Sequence, residues 1–217
     1  MIEIGYERGV PNALDGRSMA PVDVIESLNE IGFEHAIGRA IHVGDAILGI
    51  KGRVAFQAPA AVILISTHRE LEKIVLSRWQ LVQKNQLADF YGMLMHEAQY
   101  FDPVMRDIEG YFNASQSSVT GAVRIRLFKG STTVLGATSP HSLFDSDVAR
   151  YGEENRLWDG RDAQGFSRIL GVQSTIAARV RRETASDTGR EAAGRGLDGH
   201  SGEGAQDDEP AGREVSA

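Results

Sequence analysis

The chain has 217 residues, a formal net charge of −7 and a sequence pI of about 5.4, so it is long enough for a domain with a substantial core. The acidic balance argues against nucleic acid and against a membrane surface as partners, because no basic cluster interrupts it. The absence of cysteine excludes disulfides, thiol nucleophiles and thiolate metal sites. The opening residues lack a signal-peptide pattern and no apolar run is long enough to span a bilayer, so we expect a soluble, cytoplasmic protein.

The first part of the chain predicts a mixture of strands and helix. The opening IEIGYERG alternates apolar and polar residues, which is typical of a half-buried strand. Pro21 then begins a helix whose apolar residues recur at helical spacing until Gly32, the expected stop. Gly44-Asp45 lies between two apolar runs and predicts a hairpin turn. The continuous apolar run at 61–65 predicts a buried strand.

Helical spacing dominates the middle of the chain. Apolar residues recur at helical intervals over 67–95, and we expect two helices with a break near Asn85. Asp102 and Pro103 are the N-cap and the first residue of a further helix. The segment VRIRLFKGSTTVL alternates apolar and polar residues on both sides of a Lys-Gly pair, which predicts a β-hairpin. SLFDSDVARYG and DAQGFSRILGVQSTIAARV predict short helices and a final strand.

These elements predict the fold class and its limits. Strands and helices mix without a regular βαβ order, so we predict an α+β domain over residues 1–182, with a largely antiparallel sheet packed with helices. Residues 183–217 contain nine acidic residues, three arginines and seven glycines, with only two large apolar side chains. Such a segment cannot bury enough apolar surface to offset the entropy of ordering its backbone. We therefore predict a disordered, acidic, glycine-rich tail at 183–217.

The chain contains few motifs that carry chemistry. It has no G-x-x-x-x-G-K-[ST], H-E-x-x-H or G-x-S-x-G sequence and no G-x-G-x-x-G after a predicted strand, and its six histidines are too scattered to predict a metal site. His96 and Glu97 are either an acid/base couple or a histidine placed favourably at a helix end. Asp145 and Asp147 either bind a cation or cap a helix. We assign no catalytic residue and no metal ligand.

Several ordered blocks carry a family resemblance: EIGYERGVPNALDG, GRAIHVGDAILGIKGRVAFQAPAAVIL, HRELEKIVL, NASQSSVTGAVRIRLFKG, SPHSLFD and DAQGFSRILG. In this order they resemble the carboxy-terminal synthetase and oligomerisation domain of argininosuccinate synthase, over about residues 3–180. The resemblance implies a ligase of arginine biosynthesis that condenses citrulline with aspartate, using ATP with Mg, through a citrullyl-adenylate. It also implies a homo-oligomer, a tetramer, in which the carboxy-terminal segment reaches neighbouring subunits.

One part of the family pattern is missing. The family's adenylation chemistry lies in an amino-terminal domain with a glycine-rich loop of the type S-G-G-x-D-[TS]-S, and no such sequence occurs in this chain. We therefore expect the second half of the enzyme, beginning at an internal Met or in a truncated gene, inactive alone and binding no cofactor itself. A separate amino-terminal half is the expected partner. The alternative is a non-catalytic binding or assembly module that kept only the fold.

The stretch GIKGRVAFQAPA contains the candidate substrate residues. The resemblance implies citrulline contacts from a Glu and a Tyr at the positions occupied by Gly44 and Phe56, and Asp45 offers a carboxylate one position along. Lys51 and Arg53 match the family's K-[SG]-R segment, and strand alternation would place both on one face. We expect Lys51, Arg53 and Phe56 to form one wall of the citrulline site. The alternative is that the two cations are only solvated strand residues.

Overall fold

The computed structural model of the chain describes residues 1–145, 149–150, 154–155 and 157–195. The described residues form these strands in chain order: β1 (Ile2–Glu7), β2 (Val10–Leu14), β3 (Arg17–Ser18), β4 (Arg39–Asp45), β5 (Lys51–Gln57), β6 (Gly121–Phe128), β7 (Ser131–Thr138), β8 (Ala149–Arg150) and β9 (Glu154–Asn155). They form these helices: α1 (Pro21–Glu34), α2 (Pro59–Val75), α3 (Arg78–His96), α4 (Pro103–Gln116) and α5 (Gly160–Arg195).

A five-stranded antiparallel sheet with the order β3-β2-β1-β6-β7 provides one wall of the core. Strand β6, which lies between β1 and β7, shows why the sheet has one buried face, since Val123, Ile125 and Leu127 are buried and alternate with exposed Arg124 and Arg126. Helix α2 packs on β6 and β7, and α1 packs on α2. The predicted α+β class with an antiparallel sheet is confirmed.

The chain divides into two compact units, Met1–Asp147 and Val148–Ala217. The first contains the five-stranded sheet and helices α1 to α4. The second contains the short pair β8–β9 and helix α5. This division does not coincide with the expected domain boundary at residue 182.

The predicted strand at 61–65 is wrong, because these residues lie in helix α2. Pro59 occupies the first turn of that helix, and buried Ile63, Thr67 and Leu71 follow one another at four-residue intervals, while Ile65 is exposed. A short apolar run does not distinguish a buried strand from a buried helical turn. The helical period becomes visible only after the run, where polar residues separate buried Thr67, Leu71 and Val75.

The predicted helix break near Asn85 is also misplaced. The break lies at Leu76 and Ser77, where α2 ends and a capping box begins α3. The Ser77 hydroxyl accepts from the Gln80 backbone N–H at 3.4 Å, and the Gln80 side-chain oxygen accepts from the Ser77 N–H at 2.9 Å. The S-x-x-Q sequence was the signal for this break, and Asn85 lies within a continuous helix.

The other helix-end predictions differ in outcome. The predicted cap of α4 is confirmed, because Asp102 Oδ1 accepts from the Val104 N–H at 2.9 Å and Pro103 occupies the first helical position. The expected stop of α1 at Gly32 is wrong, since the helix continues to Glu34. A Cβ at position 32 would collide with Pro59 of α2, which explains the glycine. The glycine is thus needed for close helix packing and not for termination.

The hairpin around the Lys-Gly pair is confirmed as β6–β7. Residues 162–180, predicted to form a short helix and a final strand, lie entirely within the single helix α5, so the predicted strand is wrong. The other predicted segment, 142–152, lies partly outside the described residues. This helix includes residues 183–195 of the predicted tail. Residues 196–217 lie outside the described residues.

A buried carboxylate, Glu72 of α2, connects three helices. Its side chain is 1% exposed and accepts hydrogen bonds from Lys84 Nζ of α3 at 2.9 Å and from Gln116 Nε2 of α4 at 2.7 Å. His68 Nε2 lies 3.0 Å from Gln116 Oε1, and its Nδ1 lies 3.7 Å from Glu72. Burial lowers the pKa of His68, and the nearby Glu72 carboxylate opposes that shift only in part.

We expect Glu72→Ala to lower the free energy of unfolding by about 3 kcal/mol, because it leaves the ammonium group of Lys84, a side chain only 15% exposed, without its partner. Urea denaturation measures the change. The matched control is Glu70→Ala, which removes an exposed pair with Lys73 on the same helix and is expected to cost under about 1 kcal/mol. Equal losses in the two variants would contradict the structural role of Glu72.

Protonation of His68 should destabilise the fold. The folded pKa lies below the ordinary value of about 6.5, so the unfolded chain binds the proton first as the pH falls. The contribution of neutral His68 to the free energy of unfolding is complete above about pH 6.5 and decreases as the pH falls toward the folded pKa. Denaturation at pH 7 and at pH 5.5 should show a smaller pH-dependent loss for His68→Gln than for the parent chain. The same loss in both chains would refute this assignment.

Candidate substrate-binding hairpin

Strands β4 and β5 form a two-stranded hairpin separate from the main sheet. Their antiparallel register runs from Arg39 opposite Gln57 to Asp45 opposite Lys51. The predicted hairpin is confirmed, but its turn lies at residues 46–50, and Gly44 and Asp45 belong to the paired part of β4. At the base of the hairpin, directly before α2, the Ala58 N–H donates a hydrogen bond to the Gly38 carbonyl at 3.0 Å.

The hairpin exposes an unusual amount of apolar surface. Every residue of β5 is exposed, and every residue of β4 except Gly44 is exposed. The exposed apolar side chains in the strands and the turn are Ile41, Val43, Ile47, Leu48, Ile50, Val54 and Phe56. This much exposed apolar surface on one hairpin is typical of a region that another protein segment or a ligand covers.

The register assigns the predicted site residues to two faces. Lys51 and Arg53 share a face, since Lys51 lies opposite Asp45 and Arg53 lies opposite Val43. Phe56 has the other parity and therefore points to the opposite face. A small ligand lying flat on one face cannot contact all three side chains.

The two cations differ in their surroundings. Lys51 Nζ lies 2.6 Å from the Asp45 carboxylate, in an exposed cross-strand ion pair. Among the described residues, no carboxylate lies within ion-pair distance of Arg53. Of these two cations, Arg53 is therefore the one that keeps its charge available for an anionic group.

The opposite face carries Phe56, Val54, His42 and Gly44. The His42 ring lies against Gly44, so that a Cβ at position 44 would be 2.5 Å from His42 Nε2. Sequence analysis missed His42 as a member of this group. His42 and Gly44 are two residues apart on β4, and strand alternation alone would have placed them on the same face.

Other candidates from the sequence receive less support from the geometry. His96 is the last residue of α3 and Glu97 is its C-cap, both positions of a helix end. Asp147 lies outside the described residues. Within the described part of the chain, no group of three or more His, Cys, Asp or Glu side chains is placed to hold a metal ion. None of the helices described there is long and apolar enough to cross a bilayer.

Comparison with known sequences identifies the family of this fold. Residues 1–177 match the family described as the argininosuccinate synthase C-terminal domain. The chain belongs to the argininosuccinate synthase family. The matched region includes the whole first unit, with its hairpin, and the first half of α5. The predicted resemblance is thereby confirmed.

Individual relatives show how much of the enzyme this chain represents. The argininosuccinate synthase of Chlorobium phaeobacteroides is 41% identical over 172 residues, which cover 79% of this chain and 42% of the relative. That of Methanopyrus kandleri is 38% identical over 181 residues, covering 83% and 45%, and that of Acaryochloris marina is 35% identical with the same coverage. The chain thus spans less than half the length of the relatives that it matches.

Proposed function

We propose that this chain is the carboxy-terminal part of an argininosuccinate synthase, which joins citrulline to aspartate at the expense of ATP together with an amino-terminal part. In this proposal the chain supplies one wall of the citrulline site and a surface for self-association, in the cytoplasm. The observation that carries the proposal is the β4–β5 hairpin. It presents Gly44 and Phe56, the two positions where the resemblance implies citrulline contacts, on the same exposed face.

ATP and its Mg would bind to the amino-terminal part, because the described residues of this chain do not fit the triphosphate. A phosphate cradle needs free backbone N–H groups, usually from a glycine-rich loop at a helix N-terminus. In the described helices the side chains of Asn29, Ser77 and Asp102 already accept from first-turn N–H groups of α2, α3 and α4. Pro21 begins α1 without a glycine-rich loop before it.

Each face of the hairpin has a distinct role in this proposal. The Phe56 ring packs against the aliphatic part of citrulline, and His42 supplies a polar atom beside Gly44, where the family's Glu is missing. Arg53 lies on the other face, so in this proposal the citrulline carboxylate extends past the edge of the strand to reach it and accepts a charge-assisted hydrogen bond there. Lys51 is already paired with Asp45 and contributes less. The amino-terminal part would cover the remaining apolar side chains of the hairpin and complete the site.

The second unit offers a surface for the proposed self-association. Helix α5 exposes Phe166, Ile169, Ile176 and Val180, which recur at intervals typical of a helix–helix seam. The resemblance implies that this segment reaches neighbouring subunits of a tetramer. We propose that α5 is that oligomerisation helix.

A second candidate function is a non-catalytic assembly module. It is favoured by the two departures at the site, since Gly44 has no side chain to bind an amino group and Phe56 has no hydroxyl. Such a module would keep the fold and the association surfaces and would not bind citrulline.

The isolated chain is expected to release no pyrophosphate from ATP and citrulline, because the part of it that the structure describes offers no triphosphate cradle. Addition of the amino-terminal part of the Chlorobium phaeobacteroides relative should restore citrulline-dependent release, and omission of citrulline is the control. Release by the chain alone would refute the division of labour. No release with a well-folded amino-terminal part would favour the assembly module.

Substitutions on the hairpin separate its two faces in the reconstituted enzyme. Arg53→Ala should raise the KM for citrulline about tenfold, through loss of a charge-assisted hydrogen bond, with little change in the KM for ATP. Lys51→Ala is the matched control on the same face, and we expect a much smaller effect. Phe56→Tyr should leave activity unchanged or improve it slightly. Equal citrulline kinetics for the parent chain, Lys51→Ala and Arg53→Ala would remove both cations from the site.

A further inference from the structure

A cavity of about 390 Å³ lies between helices α2 and α3, lined by residues within 69–73 of the first helix and 81–89 of the second. Its least exposed charged residues are Glu72 and Lys84, which are paired with each other. Half-buried Leu81 and Ala88 add apolar surface. The residues of the β4–β5 hairpin, all of which the structure describes, take no part in this cavity. It is large enough for a small molecule and is separate from the proposed citrulline wall.

Two exposed charges of opposite sign line the cavity without partners. Arg69 lies on α2 and Asp89 lies on α3. Among the described residues, neither side chain is within ion-pair distance of an opposite charge, and the two do not pair with each other. The other two cations of the cavity already have carboxylate partners, Lys73 with Glu70 and Lys84 at the bottom of the cavity. One charge of each sign therefore remains available, each on its own wall.

Arg69 and Asp89 lie at a similar level of the two helices. The helices extend from a common junction at residues 76–77, and the Glu72–Lys84 pair shows which turns lie opposite each other. Relative to that pair, Arg69 and Asp89 are both farther from the junction, by roughly 4.5 and 7.5 Å at 1.5 Å per residue. The backbone of α3 packs on α4 and not closely on α2, so the two charges face each other across open space.

We propose that this cavity binds a small zwitterion, with a carboxylate that contacts Arg69 and a cationic group several bonds away that contacts Asp89. An amino acid with a basic side chain has this chemistry. A guanidinium group binds a carboxylate through two parallel hydrogen bonds. The aliphatic part of the ligand packs against Leu81 and Ala88, and the Asn85 amide oxygen, also in the lining, accepts from the α-ammonium group.

The two charges select a zwitterion over an ion of a single sign. A simple anion such as phosphate would find Arg69 as its one unpaired cation, with the Asp89 carboxylate repelling it from the other wall. A simple cation would meet the converse arrangement. A molecule that carries both charges, separated by an apolar linker, is complementary to both walls at once. The proposal goes beyond the citrulline site and does not depend on it, since only the first unit of the chain is involved.

Calorimetric titration of the full chain with lysine tests the ligand class. Lysine has a carboxylate and a distal ammonium group, whereas alanine has adjacent charges only and hexanoate has the carboxylate only. We expect lysine to bind at least about tenfold more tightly than either, because only lysine reaches both walls. Equal binding of the three molecules, or no binding of lysine, would overturn the proposal.

Single substitutions locate the site. Arg69→Gln and Asp89→Asn should each weaken lysine binding about tenfold, through loss of one charge-assisted contact. The matched controls are Arg126→Gln on β6 and Asp107→Asn on α4, at exposed residues outside the cavity, and both should leave the binding unchanged. An equal loss in the controls, or no loss in the cavity variants, would exclude this cavity as the site.

Charge reversal predicts a new ligand, which a damaged fold could not produce. Asp89→Arg places a cation on both walls, so this variant should lose lysine and bind glutarate, a dicarboxylate, more tightly than the parent chain does. Arg69→Asp should likewise lose lysine and gain the diamine cadaverine. The double reversal should recover lysine binding, with the ligand in the opposite orientation. A variant that loses lysine without gaining its matching ligand would contradict the proposal.

The outcome is separable from that of the proposed function. Arg53→Ala on the hairpin should leave lysine binding unchanged, and a loss there would assign the ligand to the hairpin and overturn the present proposal. The citrulline kinetics of the reconstituted enzyme decide the hairpin site, whatever the lysine titration shows.

Discussion

The buried Glu72 carboxylate constrains the helical half of the fold. Its two oxygens are used by Lys84 of α3 and Gln116 of α4, so one side chain of α2 determines where two other helices lie. A carboxylate that is almost fully removed from water is stable only with such partners. The arrangement also orients the neighbouring Gln116 amide toward His68. A single buried carboxylate therefore connects three helices through side-chain hydrogen bonds.

Helix α2 transmits this order to the candidate site. Its first residue, Pro59, packs against Gly32 of α1, and the residue before it, Ala58, is hydrogen-bonded to Gly38 at the base of the β4–β5 hairpin. The hairpin thus extends from a rigid junction, although its own residues are exposed. An exposed apolar ribbon on a fixed base is suited to close over a ligand or another domain. The length of the relatives, more than twice the matched segment, supports a further domain as that cover.

Exposed apolar surface on the hairpin and on α5 differs in geometry. The hairpin presents a two-faced ribbon, and α5 presents a helical seam. The ribbon is suited to an unlike partner because its faces differ, one cationic and one aromatic. The two surfaces therefore serve separate proposed contacts.

Ordered sequence blocks carry the family resemblance. Strand alternation also predicts which side chains of the hairpin share a face. Alternation placed Lys51 and Arg53 together, and the same parity rule excludes Phe56 from their face. The strand predicted at 61–65 failed for a different reason. A short apolar run fits a buried strand as well as a buried helix. The spacing of the buried residues that follow, up to Val75, is what distinguishes the helix.

The amino-acid sequence by itself determined the α+β class, the cap of α4 at Asp102 and Pro103, the β6–β7 hairpin and the family. These features depend on local backbone chemistry or on residue order, which a sequence contains directly. Only the tertiary structure decided that Glu72 is buried, that Arg53 is left without a carboxylate partner among the described residues, and that Arg69 and Asp89 line one cavity. Burial and pairing depend on which elements meet across the fold, and residues far apart in the chain set that outcome.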